Sequence, residues 1–342
     1  MRACVLHAIG DLRFEEVPAP IRKPGEALMR VKASGVCGSD VPRVFEKGTY
    51  HFPTIPGHEF AGEIIEADDP ILIGRRAAVF PLLPCRECAA CEMGVYAQCE
   101  RYNYFGSRCD GAFAEYISVP VWNLVPMPEG LSWDEAAMCE PAAVAVHALR
   151  QARIDIGDTV AVFGAGSIGL MLAQWAVAWG AQRAILIDID ESKLAFARNL
   201  GWSHCINSTR EDPTEIIRRL TDGRGADVAV EGAGVSQTLE QCLKSVKTFG
   251  RIIAMGNPAD DIHISQKAYW EILRKQITLK GTWNSSYNSQ KNDWQTALLG
   301  MEKGWIKPTD LITHRFALSE CTEAFGMMRD KKIFFNKVMF TP

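Results

Sequence analysis

No charge of one sign predominates in this chain: 37 Lys and Arg stand against 41 Asp and Glu, a formal net charge of -4. That leaves no overall basic field to hold nucleic acid or an anionic membrane surface. Glycine, at 28 of 342 residues, is too sparse for a collagen-like chain, and a hydrophobic content of 47% excludes a disordered one. There is no internal repeat, no low-complexity tract and no long charge run. No apolar core of signal-peptide length opens the chain, because MRACVLHAIGDLRFEE reaches Asp11, Arg13, Glu15 and Glu16 first; this predicts a cytoplasmic protein. The most apolar stretch, Thr159 to Gly180, approaches the length of a membrane span. Ser167, Gln174 and a set of patterned glycines interrupt it. These absences leave a soluble chain long enough for about two domains of ~150 residues.

Eleven cysteines is an odd number, which argues against a disulfide framework. Seven are scattered singly, but Cys85, Cys88, Cys91 and Cys99 form C-x2-C-x2-C-x7-C. Two residues between thiols let consecutive sulfurs turn onto one ion, and four thiolates at ~2.3 Å fill the tetrahedral shell of a structural zinc. No position then stays open for substrate. The bacterial iron–sulfur spacing ends C-x3-C-P, and this one does not.

Along the chain, the first 150 residues read as strand-and-turn material with dense proline, including the runs Ala27 to Ala33 and Phe60 to Ile65. From about Gly157 to Gly256 uniformly apolar strands (TVAVF, AILIDID, ADVAVE, GRIIAM) alternate with helices such as SIGLMLAQWAVAWG and SKLAFARNL. That texture marks a parallel sheet covered on both faces. Mixed elements follow: TLKGTW, helices near Asp293 to Lys303 and Glu320 to Met328, and a closing strand NKVMF. The expected fold class is α/β, with a β-rich domain over 1–150, a doubly wound Rossmann domain over 151–283 and a return to the first domain over 284–342.

Gly164 to Gly169, GAGSIG, fits G-x-G-x-x-G, directly follows an apolar strand and opens a long helix. Gly164 permits the tight turn, Gly166 lets a pyrophosphate approach the backbone, and Gly169 permits close helix–sheet packing. Asp188, 24 positions after Gly164 at the end of the next strand, is placed for the adenosine ribose hydroxyls. Its carboxylate would repel a 2′-phosphate, which predicts NAD over NADP. Ile168 within the motif and Lys193 beyond Asp188 complete the expected cofactor-binding set.

Three further elements, GVCGSD around Cys37, PGHEF around His58 and Glu59, and CEPAAVAVH around Glu140, are unremarkable singly and too far apart for spacing to assemble them. With the cysteine cluster and GAGSIG in the same order, they resemble the zinc-containing medium-chain alcohol and polyol dehydrogenases over essentially the full chain. VCGSDVPRVF, PLLPC, FGSRCDGAFAEY and CEP resemble the polyol branch, which contains sorbitol dehydrogenase and galactitol-1-phosphate 5-dehydrogenase. The resemblance implies a GroES-like first domain and a catalytic zinc held by Cys37, His58 and Glu140. Glu59 would enter the shell transiently or through water. Cys139 adjoins Glu140, and only the Glu-Pro pattern favours Glu140 as the ligand. Asp40 would accept from the His58 imidazole. Zinc would act as a Lewis acid on the substrate hydroxyl while hydride passes to the nicotinamide, and Ser39 would relay the proton outward.

The resemblance therefore implies two zinc ions per chain, NAD, a polyol or polyol-phosphate substrate, no nucleic-acid or membrane partner, and a homodimer or homotetramer. Arg43, Lys47, His51 and Arg108 are candidates for a substrate phosphate, and Tyr50, Phe105, Trp270 and Trp283 for pocket walls. One departure stands out: in GEIIEADDPILIGRRAAV, Arg75 replaces the family's usual Asp after Gly, which predicts a reshaped surface loop. The alternatives are a threonine- or secondary-alcohol-type dehydrogenase, or a dinucleotide-binding regulatory protein without chemistry. The second of these predicts damage to Cys37, His58, Glu140 or Ser39, and all four are present.

Overall fold

A computed structural model describes all 342 residues. The chain divides into two compact units, Met1–Ala143 with Ser286–Pro342, and Val144–Ser285. In the first, β1 (Arg2–Ala8) and β2 (Asp11–Glu16) form an antiparallel hairpin. There follow β3 (Glu26–Val36), β4 (Glu59–Ala67), β5 (Arg76–Val79), the short pair β6 (Leu82–Leu83) and β7 (Asn103–Tyr104), β8 (Tyr116–Pro120) and β9 (Leu124–Pro126). From Ala27 to Ala33, β3 alternates buried and more exposed residues, the period of a sheet with one covered face; Ser34 to Val36 are then all buried. The strand dives inward as it approaches Cys37. Arg75 ends the departing loop, where Ile64 and Gly74 close the turn back onto β4 with N–H···O bonds of 2.9 and 2.7 Å.

The second unit holds β10 (Thr159–Phe163), β11 (Arg183–Asp188), β12 (Cys205–Asn207), β13 (Ala226–Glu231), β14 (Val246–Ala254) and β15 (Thr278–Gly281). All pairings are parallel in the order β12-β11-β10-β13-β14-β15, the 3-2-1-4-5-6 arrangement of a dinucleotide-binding sheet. Every residue of the central strand β10 is buried, as its unbroken apolar run requires. The sequence reading passed over three helices here, Pro213–Leu220, Ser236–Ser245 and Gln266–Lys275. The first carries a start signal: Asp212 caps it, accepting from Thr214 N–H at 2.8 Å, and Pro213 takes the first position.

The return segment adds β16 (Ile312–Ala317) and β17 (Lys337–Thr341) to the first unit. Its sheet runs β16-β17-β3-β4-β5-β9, with β8 also paired to β3. An aromatic cluster ties the return to the early strands: Phe80 stacks on Tyr287 with centroids 4.6 Å apart and meets Trp294 edge-on at 5.6 Å. Such pairs add about 0.5–1.5 kcal/mol each beyond their buried area. No helix is long and apolar enough to cross a membrane.

Candidate functional site

The glycine loop joins β10 to the helix Ser167–Ala178. Gly164 sits at φ +116°, a conformation side chains rarely adopt. A Cβ on Gly169 would collide with the Gly164 carbonyl oxygen, whereas Gly166, the helix N-cap, faces open space. The three glycines thus serve the turn, the packing and the open approach to the helix N-terminus, whose positive dipole end suits an anion. Ile168 is half-buried in the first turn. Asp188, at the end of β11, accepts from Ala165 N–H at 2.8 Å and Asp190 N–H at 2.9 Å, with Lys193 Nζ at 3.5 Å. Its carboxylate is therefore braced against the loop. A neighbouring turn escaped the sequence reading. Buried Glu231 accepts from Ala233 N–H at 2.9 Å, Gly234 N–H at 2.8 Å and the Thr238 hydroxyl at 2.7 Å. The second GAG, just after an apolar strand, was its signal.

In the cysteine lobe the sulfurs of Cys85, Cys88, Cys91 and Cys99 all lie within 4.8 Å of one another. Cys85 Sγ and Cys91 Sγ are 3.9 Å apart, against ~3.8 Å for the edge of a tetrahedron with ~2.3 Å zinc–sulfur bonds. That separation is far too long for a disulfide, and all eleven cysteines are free. Backbone N–H groups of Glu87 and Cys88 bring the Cys85 thiol down to about 6, toward the thiolate a metal needs. The donor set and its dimensions fit zinc.

The remaining cluster is built by strand register. In β3 and β4, Gly35 pairs with Glu59, so Cys37 and His58 emerge side by side. In β17, Val338 pairs with Val36, which brings Lys337 level with Cys37. Donor atoms of Cys37, His58 and Glu59 lie within 4.8 Å of one another, and His58 and Glu59 are buried. This set of soft and hard donors suits zinc. Asp40, wholly buried, lies 3.4 Å from His58 Nδ1, accepts from Cys37 N–H at 3.0 Å and from Arg43 Nη1 at 2.9 Å. Burial would raise the Asp40 carboxyl, but His58, Arg43 and the Cys37 N–H together hold it at about 2. Ser39 donates to Cys37 Sγ at 3.3 Å and accepts from Arg43 Nη1 at 3.0 Å.

Glu140 stands outside the tight group. It lies in the first turn of the helix Cys139–Ala152, with Pro141 next in sequence, and accepts from the Tyr104 hydroxyl at 3.3 Å. Burial, the largest effect, and Glu59 nearby lift its carboxyl to about 7. Cys139 is turned away, its thiol 3.6 Å from the Trp294 carbonyl. Tyr104 and Lys337 escaped the sequence reading. Lys337 was visible as a lone charge in NKVMF; Tyr104 had no signal.

Among the weaker candidates, Arg43 is committed to Asp40 and Ser39 rather than free for a phosphate. Phe105 is core, edge-on to Phe60 at 6.0 Å. Arg108 lies over Tyr50 at 4.0 Å and Tyr102 at 4.5 Å, and donates to the Tyr50 hydroxyl. His51 turns Nδ1 to the Pro53 carbonyl and the Thr54 hydroxyl, and Lys47 is exposed. Trp270 and Trp283 are half-exposed.

Comparison with known proteins follows this architecture. Residues 23–129 match the alcohol dehydrogenase GroES-like domain, and residues 167–302 the zinc-binding dehydrogenase family. The chain is 35% identical over 331 residues to galactitol 1-phosphate 5-dehydrogenase of Escherichia coli, covering 95% of each chain. It is 31% identical to sorbitol dehydrogenase of Bacillus subtilis, covering 100% of this chain and 97% of that one. The crystal structure of the Escherichia coli galactitol-1-phosphate dehydrogenase superposes with a TM-score of 0.93 at 33% identity over the whole of both chains. A zinc-binding dehydrogenase from Sinorhizobium meliloti bound to NADP gives 0.90 at 26% identity, covering 100% of this chain and 99% of that one. An Escherichia coli alcohol dehydrogenase complexed with NADH gives 0.91 at 26% identity with the same coverage. This chain belongs to the zinc-containing medium-chain alcohol and polyol dehydrogenases, oxidoreductases that pair a GroES-like domain with a Rossmann domain for a nicotinamide dinucleotide.

Proposed function

We propose that this chain transfers hydride between NAD and a secondary hydroxyl of a polyol or polyol phosphate, interconverting polyol and ketose. The observation that carries the reading is Cys37 beside the buried His58, flanked by the buried carboxylates of Glu59 and Glu140, with Asp40 behind the imidazole. Cys37, His58 and Glu140 would hold one zinc and the four-cysteine lobe a second, giving two per chain. At the first site zinc supplies Lewis acidity that lowers the pKa of the substrate hydroxyl. Asp40 orients His58 and keeps its ring nitrogen aimed at the site. Ser39 takes the proton outward, with Arg43 fixing its oxygen. The hard redox step belongs to the nicotinamide.

The test is NADH formation across free hexitols and pentitols and their 1-phosphates, with and without chelator. Chelator-sensitive turnover of phosphorylated members alone identifies a polyol-phosphate dehydrogenase, and turnover of free polyols alone a sorbitol-type enzyme. Silence across the whole panel with NAD bound would refute the polyol reading.

NAD is preferred because Asp188 sets a carboxylate, already held by Ala165 and Asp190, where a 2′-phosphate would have to sit. Asp188→Gly should lower the NAD-to-NADP ratio of kcat/KM by roughly tenfold or more, the scale of ~1.4 kcal/mol. An unaltered ratio removes Asp188 from the ribose site. Support for a homodimer or homotetramer is the open edge of the cofactor sheet. All four residues of β15 are exposed, with Trp283 just beyond. A cytoplasmic location is supported by eleven unpaired thiols.

A further inference from the structure

Besides Asp40, two buried carboxylates stand beside Cys37 and His58, and each has its own tether. Glu140 has the Tyr104 hydroxyl, at 3.3 Å. Glu59, 1% exposed, is ion-paired with Lys337, 3% exposed, whose ammonium also donates to the Val36 carbonyl at 3.0 Å. The pair has room because residue 35 is glycine. A Cβ there would collide with Glu59 Oε2 and come within 3.0 Å of Lys337 Cε. Lys337 opens the otherwise apolar buried run of β17, and burying an ammonium is costly unless an anion faces it.

We propose that Lys337 is a positioning residue that holds Glu59 back from the catalytic metal, leaving Glu140 as the third protein ligand and one position open for the substrate oxygen. This rests on the zinc-site reading above. A buried carboxylate needs a counter-charge. With the ammonium in place, Glu59 has one that is not the metal. Without it, a dication at the site becomes the nearest positive charge, and Glu59 turns to it and fills the open position. Glu140 has only a neutral hydroxyl as its tether, so it is the carboxylate free to serve the metal. Arg43 is already spent on Asp40.

The experiment uses the zinc-loaded full chain and its cobalt(II)-substituted form. Lys337→Met should slow zinc release from this site to a chelator and lower turnover, each by about tenfold or more, the scale on which outer partners tune a metal site. It should also weaken the visible cobalt absorption, as a rise in coordination number does. Adding Glu59→Gln to Lys337→Met should return zinc release and the cobalt spectrum to wild type. Lys337→Arg, which keeps the charge, should retain the wild-type spectrum. Unchanged release and spectrum in Lys337→Met would overturn the proposal, as would a double variant no closer to wild type than the single one. Should Lys337→Met fail to fold, Glu59→Gln alone decides. Wild-type zinc release and spectrum support a tethered Glu59, whereas faster release or a shifted spectrum makes Glu59 a resident ligand and overturns the proposal. A wild-type chain that takes up only one zinc overturns the underlying zinc-site reading itself.

Discussion

Glu140→Gln is expected to lower turnover by at least about 100-fold, the upper end of what is lost when a partner one shell further from a metal is removed. The substitution keeps the volume of the side chain and an oxygen for the Tyr104 hydroxyl, so the ~0.5–1.5 kcal/mol of that hydrogen bond need not be lost. What it removes is the negative charge. On the proposed reading of two zinc ions and NAD, zinc content should fall toward one per chain while cofactor binding and thermal stability hold, since the glycine loop and Asp188 lie elsewhere in the chain. Metal analysis, cofactor titration and steady-state kinetics on one preparation separate these effects. Full zinc content and unchanged turnover would move the ligand to Glu59, the carboxylate grouped with Cys37 and His58 in the structure. Cys139 is a poor heir, because its thiol is turned to the Trp294 carbonyl, 3.6 Å away.

Cys88→Ser should act on stability first. Between β6 and β7 the lobe has only two short helical turns, Ala89–Glu92 and Tyr96–Gln98. Its apolar cluster is little more than the cysteines themselves with Ala90, Tyr96 and Tyr102. Tyr96 edge-on to Trp122 at 5.1 Å and Arg86 over the same ring at 4.4 Å are its chief aromatic anchors. A serine hydroxyl stays protonated at neutral pH and does not replace a thiolate. Structural zinc sites are worth about 10–16 kcal/mol in small peptides. Losing even ~3 kcal/mol of that lowers Tm by about 6–12 °C for a unit of this size. Calorimetry and metal content test this together. Lost turnover at an unchanged Tm with both zinc ions retained would sink the structural role.

The two kinds of signal in the chain differ in how local they are. The glycine loop, the cysteine lobe and the buried strands of the cofactor sheet were legible because each rests on neighbours in sequence. GAGSIG needs only the strand before it and the helix after it, and four thiols at short spacings can close on one ion without help from distant residues. The place of Asp188 at the end of the next strand was legible for the same reason. The short strand β12 and the helix Gln266–Lys275 were not read, since three residues carry no period and QKAYWEILRK is largely exposed.

The sequence by itself determined the fold class, the glycine loop at the start of a helix and the four-cysteine lobe, because these follow from local periodicity and spacing. Tertiary structure alone decided how Cys37, His58, Glu59 and Lys337 meet. Antiparallel register sets Glu59 against Gly35 and Val338 against Val36, bringing residues 278 positions apart into one buried ion pair. Composition and spacing carry no register between distant strands. The same is true of the hydroxyl of Tyr104 on Glu140, and of Arg43, which a surface reading offers to a phosphate and the fold commits to Asp40. A buried charge must find its partner wherever the chain happens to bring one, and that is settled only when the strands have paired.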